Sequence, residues 1–154
     1  MTAHPKIFIG SDHRGFALKQ RLLEILGEDN DIDTISDLGP ESYLPDDDYN
    51  DYAIKVAEAV LKTPNSFGIL ICGSAIGVSI QANRFKGIRA AIVNNENVAR
   101  ITREHNNANI ICLSAEDFLE PNSAITLIKT FIKTPFSNEE RHIRRIKKLD
   151  EEIN

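Results

Sequence analysis

Cys72 closes the apolar run Phe67-Gly68-Ile69-Leu70-Ile71-Cys72, and Gly73-Ser74-Ala75-Ile76-Gly77 follows at once. The run reads as a buried strand and the glycine-spaced segment as a tight turn into a helix. In open α/β sheets, ligands bind at the carboxyl ends of strands. A helix N-terminus there offers free N–H groups and a partial positive charge, which favour an anion and a thiolate. One short stretch thus combines a candidate thiolate base with an anion cradle. The plainer reading of Cys72 is a small hydrophobe ending a buried strand. That reading fits Cys112 better, because no glycine-rich turn follows it.

Four further groups carry chemistry. Gly10-Ser11-Asp12-His13-Arg14-Gly15 puts Asp12 and His13 at the end of a first apolar run. It lacks the dinucleotide G-x-G-x-x-G and the Walker Gly-Lys-Ser/Thr, so Asp37 at the end of the second strand has no fingerprint to support a ribose-binding role. Asp12 or Ser11 could equally be a helix cap. His105-Asn106 ends a helical stretch, either complementing its dipole or facing the Cys72 crevice. Asp46-Asp47-Asp48 with Asp51 invites a metal, but lacks the EF-hand glycine and terminal Glu; no His/Cys pair has zinc spacing, and a solvated loop is expected. Arg141 and Arg145, four apart, share a helix face whose guanidinium forks suit a phosphate, or form a plain basic surface.

The elements that must position these groups alternate along the chain. Strands are expected at 6–10, 33–37, 67–72, 88–93 and 109–113. Helices are expected at 15–26, from an Asp51 cap through Leu61, from the Cys72 turn through Arg84, at 95–105 and at about 122–133. Short apolar strands between helices imply an α/β fold: a Rossmann-like three-layer αβα sandwich with a five-stranded parallel sheet and an extra C-terminal helix. All 154 residues read as one domain. In the tail, about 137–152, Ser137 and Glu140 have capping-box spacing, and Ile143, Ile146, Leu149 and Ile153 form a narrow stripe. With no sixth strand before it, this helix docks either on a partner subunit or on its own domain.

The net charge of -5 disfavours non-specific nucleic-acid binding. No apolar stretch approaches a membrane span, and the N-terminus shows no signal-peptide core. Two cysteines cannot form a disulfide framework, so free thiols and a cytoplasmic setting are expected.

Over about residues 6–149 the chain resembles the ribose-5-phosphate isomerase B family, which also contains galactose-6-phosphate isomerase subunits. The matching segments are Gly10–Gly15, Asp48–Ala53, Gly68–Ser74, Gly77–Arg84, Gly87–Ala91, Glu104–Asn109 and Arg141-His142. The resemblance implies a cofactor-free, metal-free aldose–ketose isomerase of sugar phosphates. Cys72 would move a proton between C2 and C1, His105 with Asp12 would open the furanose ring, and Ser74 would contact sugar hydroxyls. N–H groups of the turn through Gly73, Ala75 and Gly77 would hold the enediolate. Asn106 and Tyr49 would contact substrate, and His13, Arg141 and Arg145 would lie at the phosphate. A homo-oligomer, dimer or dimer of dimers, with sites at subunit interfaces is implied too. Ribose 5-phosphate is the expected substrate; a hexose 6-phosphate such as allose or galactose 6-phosphate, or a non-catalytic sugar-phosphate-binding role, are the alternatives. Three departures stand out. Ala75 replaces a usual glycine, which should reshape the turn. Asn50 replaces a proline, which should loosen the Tyr49 loop. Glu116 stands where many members carry a phosphate-binding arginine, leaving phosphate to Arg141, Arg145 and His13.

Overall fold

The computed structural model describes residues 3–117 and 120–151. Five strands form one parallel sheet: β1 Lys6–Ser11, β2 Thr34–Asp37, β3 Ser66–Cys72, β4 Ala90–Ile92 and β5 Ile110–Ser114, in the order β2-β1-β3-β5-β4. Six helices are α1 Phe16–Leu26, α2 Tyr49–Lys62, α3 Ile76–Ala82, α4 Glu96–Glu104, α5 Pro121–Lys133 and α6 Glu140–Leu149. This is the expected α/β architecture.

Strand alternation builds the layers. Ile69 and Ile71 of β3 join Ile7, Ile9, Leu22, Ile111, Leu113, Ile128 and Phe131 in a core on one face. Leu70 and Cys72 point the other way, onto Ala53, Val56, Ala57, Val78 and Ala82 of α2 and α3. Both faces are covered, so β3 from Phe67 to Cys72 and β5 from Ile110 to Leu113 are apolar without alternation. Each fully buried Ile or Leu is worth roughly 1.5–3 kcal/mol, which makes these two strands the anchor of the sheet.

The topology places the crevice. From β1 the chain turns through α1 to β2, on one side. From β3 it turns through α3, on the opposite face, toward β4 at the other edge. The carboxyl ends of β1 and β3 are therefore a switch point, where loops part and leave room for a ligand.

Several expectations on element ends need correction. Helix α2 starts at Tyr49, with extended Asp48 before it, so Asp51 lies in the first turn and is no cap. Tyr49 is consequently helical, and Asn50 Nδ2 donates to Gln81 Oε1 at 2.8 Å, tying α2 to α3 rather than loosening the segment. Helix α3 stops at Ala82, two residues before Arg84. The capping box of the tail does not form. Ser137 Oγ accepts from the Glu139 N–H (3.2 Å) and lies 2.7 Å from His142 Nδ1, which holds the serine in the turn before α6. Asp37 is consumed structurally: buried Lys19 donates to both its oxygens (2.6 and 2.8 Å) and to the Pro40 carbonyl (2.7 Å). Of the apolar tail stripe, Ile143 and Leu149 are exposed and Ile146 half-buried; Ile153, like residue 152, lies outside the described residues.

Candidate active site

Cys72 ends β3 with its side chain buried against the α2–α3 face. The turn after it is held by β5. The Cys72 carbonyl accepts from the Ala115 N–H (2.9 Å), and the Gly73 carbonyl accepts from the Glu116 N–H (3.2 Å) and Ser114 Oγ (2.7 Å). The N–H groups of Gly73, Ser74, Ala75 and Gly77 have no acceptor among the described residues. Unpaired backbone donors are costly when shielded from water, so such a row is suited to an anionic oxygen. Ser74 Oγ accepts from the Ile76 N–H (3.3 Å), and Ser74 is exposed.

Ala75 does not reshape the turn. It takes the left-handed conformation itself, φ 66° and ψ -9°, directly before α3. An L-residue there costs about 1–2 kcal/mol, which the surrounding bonds to β5 outweigh. Two glycines leave room for side chains that rest on the turn. A Cβ on Gly73 would lie 2.8 Å from the Arg14 guanidinium, and one on Gly77 would lie 2.7 Å from the Tyr49 ring. Arg14 and Tyr49 thus lie directly on the turn, one at each end.

Asp12 sits beside it. Its N–H donates to the Ile71 carbonyl (3.2 Å), one residue before Cys72, and its side chain is buried. Its Oδ1 accepts from the N–H groups of Arg14 (3.0 Å) and Gly15 (3.1 Å), so it does cap the loop into α1. Its other oxygen takes no hydrogen bond from a described residue. His13 is fixed by Asp47: the Asp47 Oδ1 accepts from its backbone N–H (3.0 Å) and lies 2.8 Å from Nδ1. Asp47 Oδ2 is buried with no partner among the described residues. Tyr52 packs nearby, and burial first, then the Asp47 carboxylate, pushes its pKa up to about 12. Burial also drives the Cys112 thiol far above its ordinary pKa, which keeps it neutral.

Asp12, His13, Tyr49, Cys72, Gly73, Ser74, Ala75 and Gly77 are therefore gathered at the carboxyl ends of β1, β3 and β5. His105, Asn106, Arg141 and Arg145 are not. Helix α4 runs back along the sheet, so His105, its C-cap, lies at the amino end. The next turn meets β3 at Gly68, whose N–H donates to the Asn109 carbonyl (2.9 Å), four positions before Cys72. At about 3.3 Å per strand residue, that is ~13 Å away. Within one chain, therefore, His105-Asn106 does not face the Cys72 crevice. The His105 ring instead stacks on His142 of α6, centroids 4.5 Å apart, and Ser137 N–H donates to the Glu104 carbonyl (3.1 Å). Buried Arg103 braces this turn, donating to the Ala108 carbonyl (2.6 Å) and Asn107 Oδ1 (2.9 Å); burial brings its pKa down to about 10. Arg141 and Arg145 are exposed on α6, with Arg141 Nε 2.8 Å from Glu139 Oε2. A cavity of about 580 Å³ also lies at this amino end, lined in part by Arg84, Arg89, Asn106 and Leu149, and is separate from Cys72.

Sequence reasoning gave no site role to Arg14 or Asp47 at the carboxyl end, and read Glu116 only as an acid in place of a phosphate-binding arginine. Arg14 was visible in its motif, but nothing in the sequence puts it on Gly73. Asp47 was hidden in a run of three aspartates. Glu116 pairs with Arg14 across the turn. Among the described residues no group of three or more metal-ligating side chains forms a cluster, and no helix is long and apolar enough to cross a membrane.

Residues 7–149 match the family model described as Ribose/Galactose Isomerase. The chain is 42% identical over 146 residues to a Mycoplasma pneumoniae protein named probable ribose-5-phosphate isomerase B, covering 95% of this chain and 93% of that one. It is similar to the crystal structure of ribose-5-phosphate isomerase B from Mycoplasma genitalium with bound ribulose-5-phosphate: 39% identity, TM-score 0.87, 96% and 95% coverage. The Thermotoga maritima ribose 5-phosphate isomerase structure gives 42% identity and TM-score 0.86, over 96% and 99% of the two chains.

Proposed function

The chain belongs to the ribose/galactose isomerase family, and we propose that it interconverts ribose 5-phosphate and ribulose 5-phosphate as an aldose–ketose isomerase. The supporting observation is the Cys72 thiol at the switch-point crevice, followed by four N–H groups without acceptors among the described residues. Relatives carrying this activity in their names, one of them with ribulose-5-phosphate bound, point to the same substrate.

In this reading the Cys72 thiolate takes the C2 proton of the open-chain aldose. The electron pair moves into a C1–C2 double bond, and the charge passes to the C1 oxygen. The N–H groups of Gly73, Ser74, Ala75 and Gly77 hold that oxygen of the enediolate. The C2 hydroxyl then gives up its proton as the C1 oxygen takes one, which moves the charge to the C2 oxygen; the Cys72 thiol returns its proton to C1 as the C2–O bond becomes the carbonyl, which gives the ketose and restores the thiolate. Asp12, beside the thiol, and Ser74 attend the hydroxyls, and Tyr49 covers the turn. No metal or cofactor enters the scheme.

His105, which would open the furanose ring, and Asn106, Arg141 and Arg145, which would bind substrate and phosphate, reach this crevice in our reading from a second copy of the chain. Their position at the amino end of the sheet supports this. So does exposed apolar surface: Ile76 and Ile80 on α3 are 52% and 61% exposed, and Leu149 on α6 is 61% exposed. The chain would act as one domain within a dimer or dimer of dimers, its tail helix packed on the end of its own α4 and lending Arg141 and Arg145 to the partner's crevice. Two buried free cysteines suit the cytoplasm.

The test is substrate profiling of the purified protein, with five- and six-carbon sugar phosphates, before and after dialysis against EDTA. Isomerisation of ribose 5-phosphate that survives chelation is expected. Preference for a hexose 6-phosphate would move the substrate within the family, and binding without turnover would make the chain a sugar-phosphate receptor. A monomeric mass at micromolar concentration would refute the shared site.

A further inference from the structure

We propose that Arg14 binds the phosphoryl group of the substrate, and that Glu116 holds its guanidinium in place until the phosphate displaces it. The inference rests on the isomerase reading for its substrate, and on geometry for its residue. The guanidinium lies flat on the Cα of Gly73, since a Cβ there would sit 2.8 Å from Cζ, Nε and Nη1 alike. It is thus one residue from the Cys72 thiol, at the mouth of the crevice. Its backbone is anchored by Asp12 Oδ1 (3.0 Å), so the stem starts from a fixed point and the head group can swing.

Its partner is a weak one. The Arg14–Glu116 pair has both side chains more than half exposed, 56% and 53%. Exposed pairs of this kind contribute about 0–1 kcal/mol, so little is lost when the pair opens. A phosphate monoester carries more charge than a carboxylate and accepts a guanidinium fork through two oxygens, so it competes well for Arg14. Glu116, fixed to the turn through its N–H on the Gly73 carbonyl (3.2 Å), then opposes the same anion. The two side chains therefore act on affinity with opposite signs.

The test is a double-mutant cycle on the full-length protein, reading kcat, KM for ribose 5-phosphate and, separately, the dissociation constant of inorganic phosphate by calorimetry. Arg14→Ala should raise KM and weaken phosphate binding about tenfold or more, with kcat within threefold. Arg14→Lys should recover part of the loss. Glu116→Gln should tighten both, and the double variant should bind better than Arg14→Ala alone, because the unneutralised carboxylate is gone. A side chain that only braces the Gly73 turn would change kcat or stability and be indifferent to Glu116→Gln. KM and phosphate affinity within twofold of the parent in Arg14→Ala would overturn the proposal, as would a fall in kcat alone. If the parent turned over no sugar phosphate, the isomerase reading would fail while the phosphate arm still decided Arg14.

Discussion

Replacing Cys72 by serine separates the thiol's chemistry from its packing. The side chain is only 4% exposed and belongs to the core under α2 and α3, so alanine would open a small void as well as remove the base. Serine keeps the volume and the turn. It exchanges sulfur for a hydroxyl that is not ionised near neutral pH. Loss of a general base costs about 10²–10⁴-fold, and each tenfold is about 1.36 kcal/mol of barrier. The expected fall in kcat is therefore at least a hundredfold, or about 2.7 kcal/mol at the low end. Circular dichroism and thermal unfolding should show the fold intact. Cys112→Ala is the control: that thiol is fully buried on β5 and held neutral, so the substitution should lower stability and leave kcat nearly unchanged. Iodoacetamide followed by peptide mass mapping should label Cys72, spare Cys112 and be slowed by ribose 5-phosphate. Near-parental turnover by Cys72→Ser would refute the thiol as base and shift the role to Asp12, the buried carboxylate directly after β1.

Arg141→Ala and Arg145→Ala should each raise KM for the sugar phosphate about tenfold, since a charged hydrogen bond contributes roughly 1.5–3 kcal/mol; unchanged KM in both would leave α6 a plain basic helix. Lys19→Met removes the cation from a buried pair and strands Asp37, at a cost of about 3 kcal/mol, so differential scanning calorimetry should show a Tm fall of about 6–12 °C; a loss below about 1 kcal/mol would show that Asp37 resolvates freely. His142 is buried, which lowers its pKa, with the charges of His105, Arg141 and Arg145 adding to the shift and Glu139 opposing it. The folded tail thus binds fewer protons than the unfolded one, and its docking is strongest above the ordinary histidine pKa of about 6.5 and weakens as pH falls through the depressed value. Hydrogen-exchange protection factors of residues 140–149, corrected for the intrinsic pH dependence of amide exchange, should fall on acidification from pH 8 to 5 in the parent and lose that dependence in His142→Asn.

The sheet and its order of elements were legible because β3 and β5 carry uninterrupted apolar runs and the helices between them keep their spacing. The Cys72 turn was legible because glycine spacing marks it. Element ends were not, since they depend on tertiary bonds. Asp48 rather than Asp51 precedes α2 because Asn50 is tied to Gln81 on another helix. Ser137 serves His142 rather than a capping box because α6 lies against the end of α4. Ala75 shows the limit of a local rule. Its preference against positive φ is about 1–2 kcal/mol, and the bonds that pin Gly73 to β5 outweigh it.

The division of the site between the two ends of the sheet follows from the same parallel topology. Every strand of such a sheet delivers its following loop to one end, and every returning helix delivers its C-terminus to the other. Cys72 ends a strand and Asp12 and Glu116 follow strands, so they meet. His105 ends a helix, and α6 starts beside it, so a single chain cannot fold them onto the thiol without breaking the sheet. Motifs that are separated by this rule within one molecule can meet only across two. That geometry makes association part of the catalytic proposal. It also assigns the chain's own carboxyl-end cation, Arg14, a role that no helix terminus of the same copy can take.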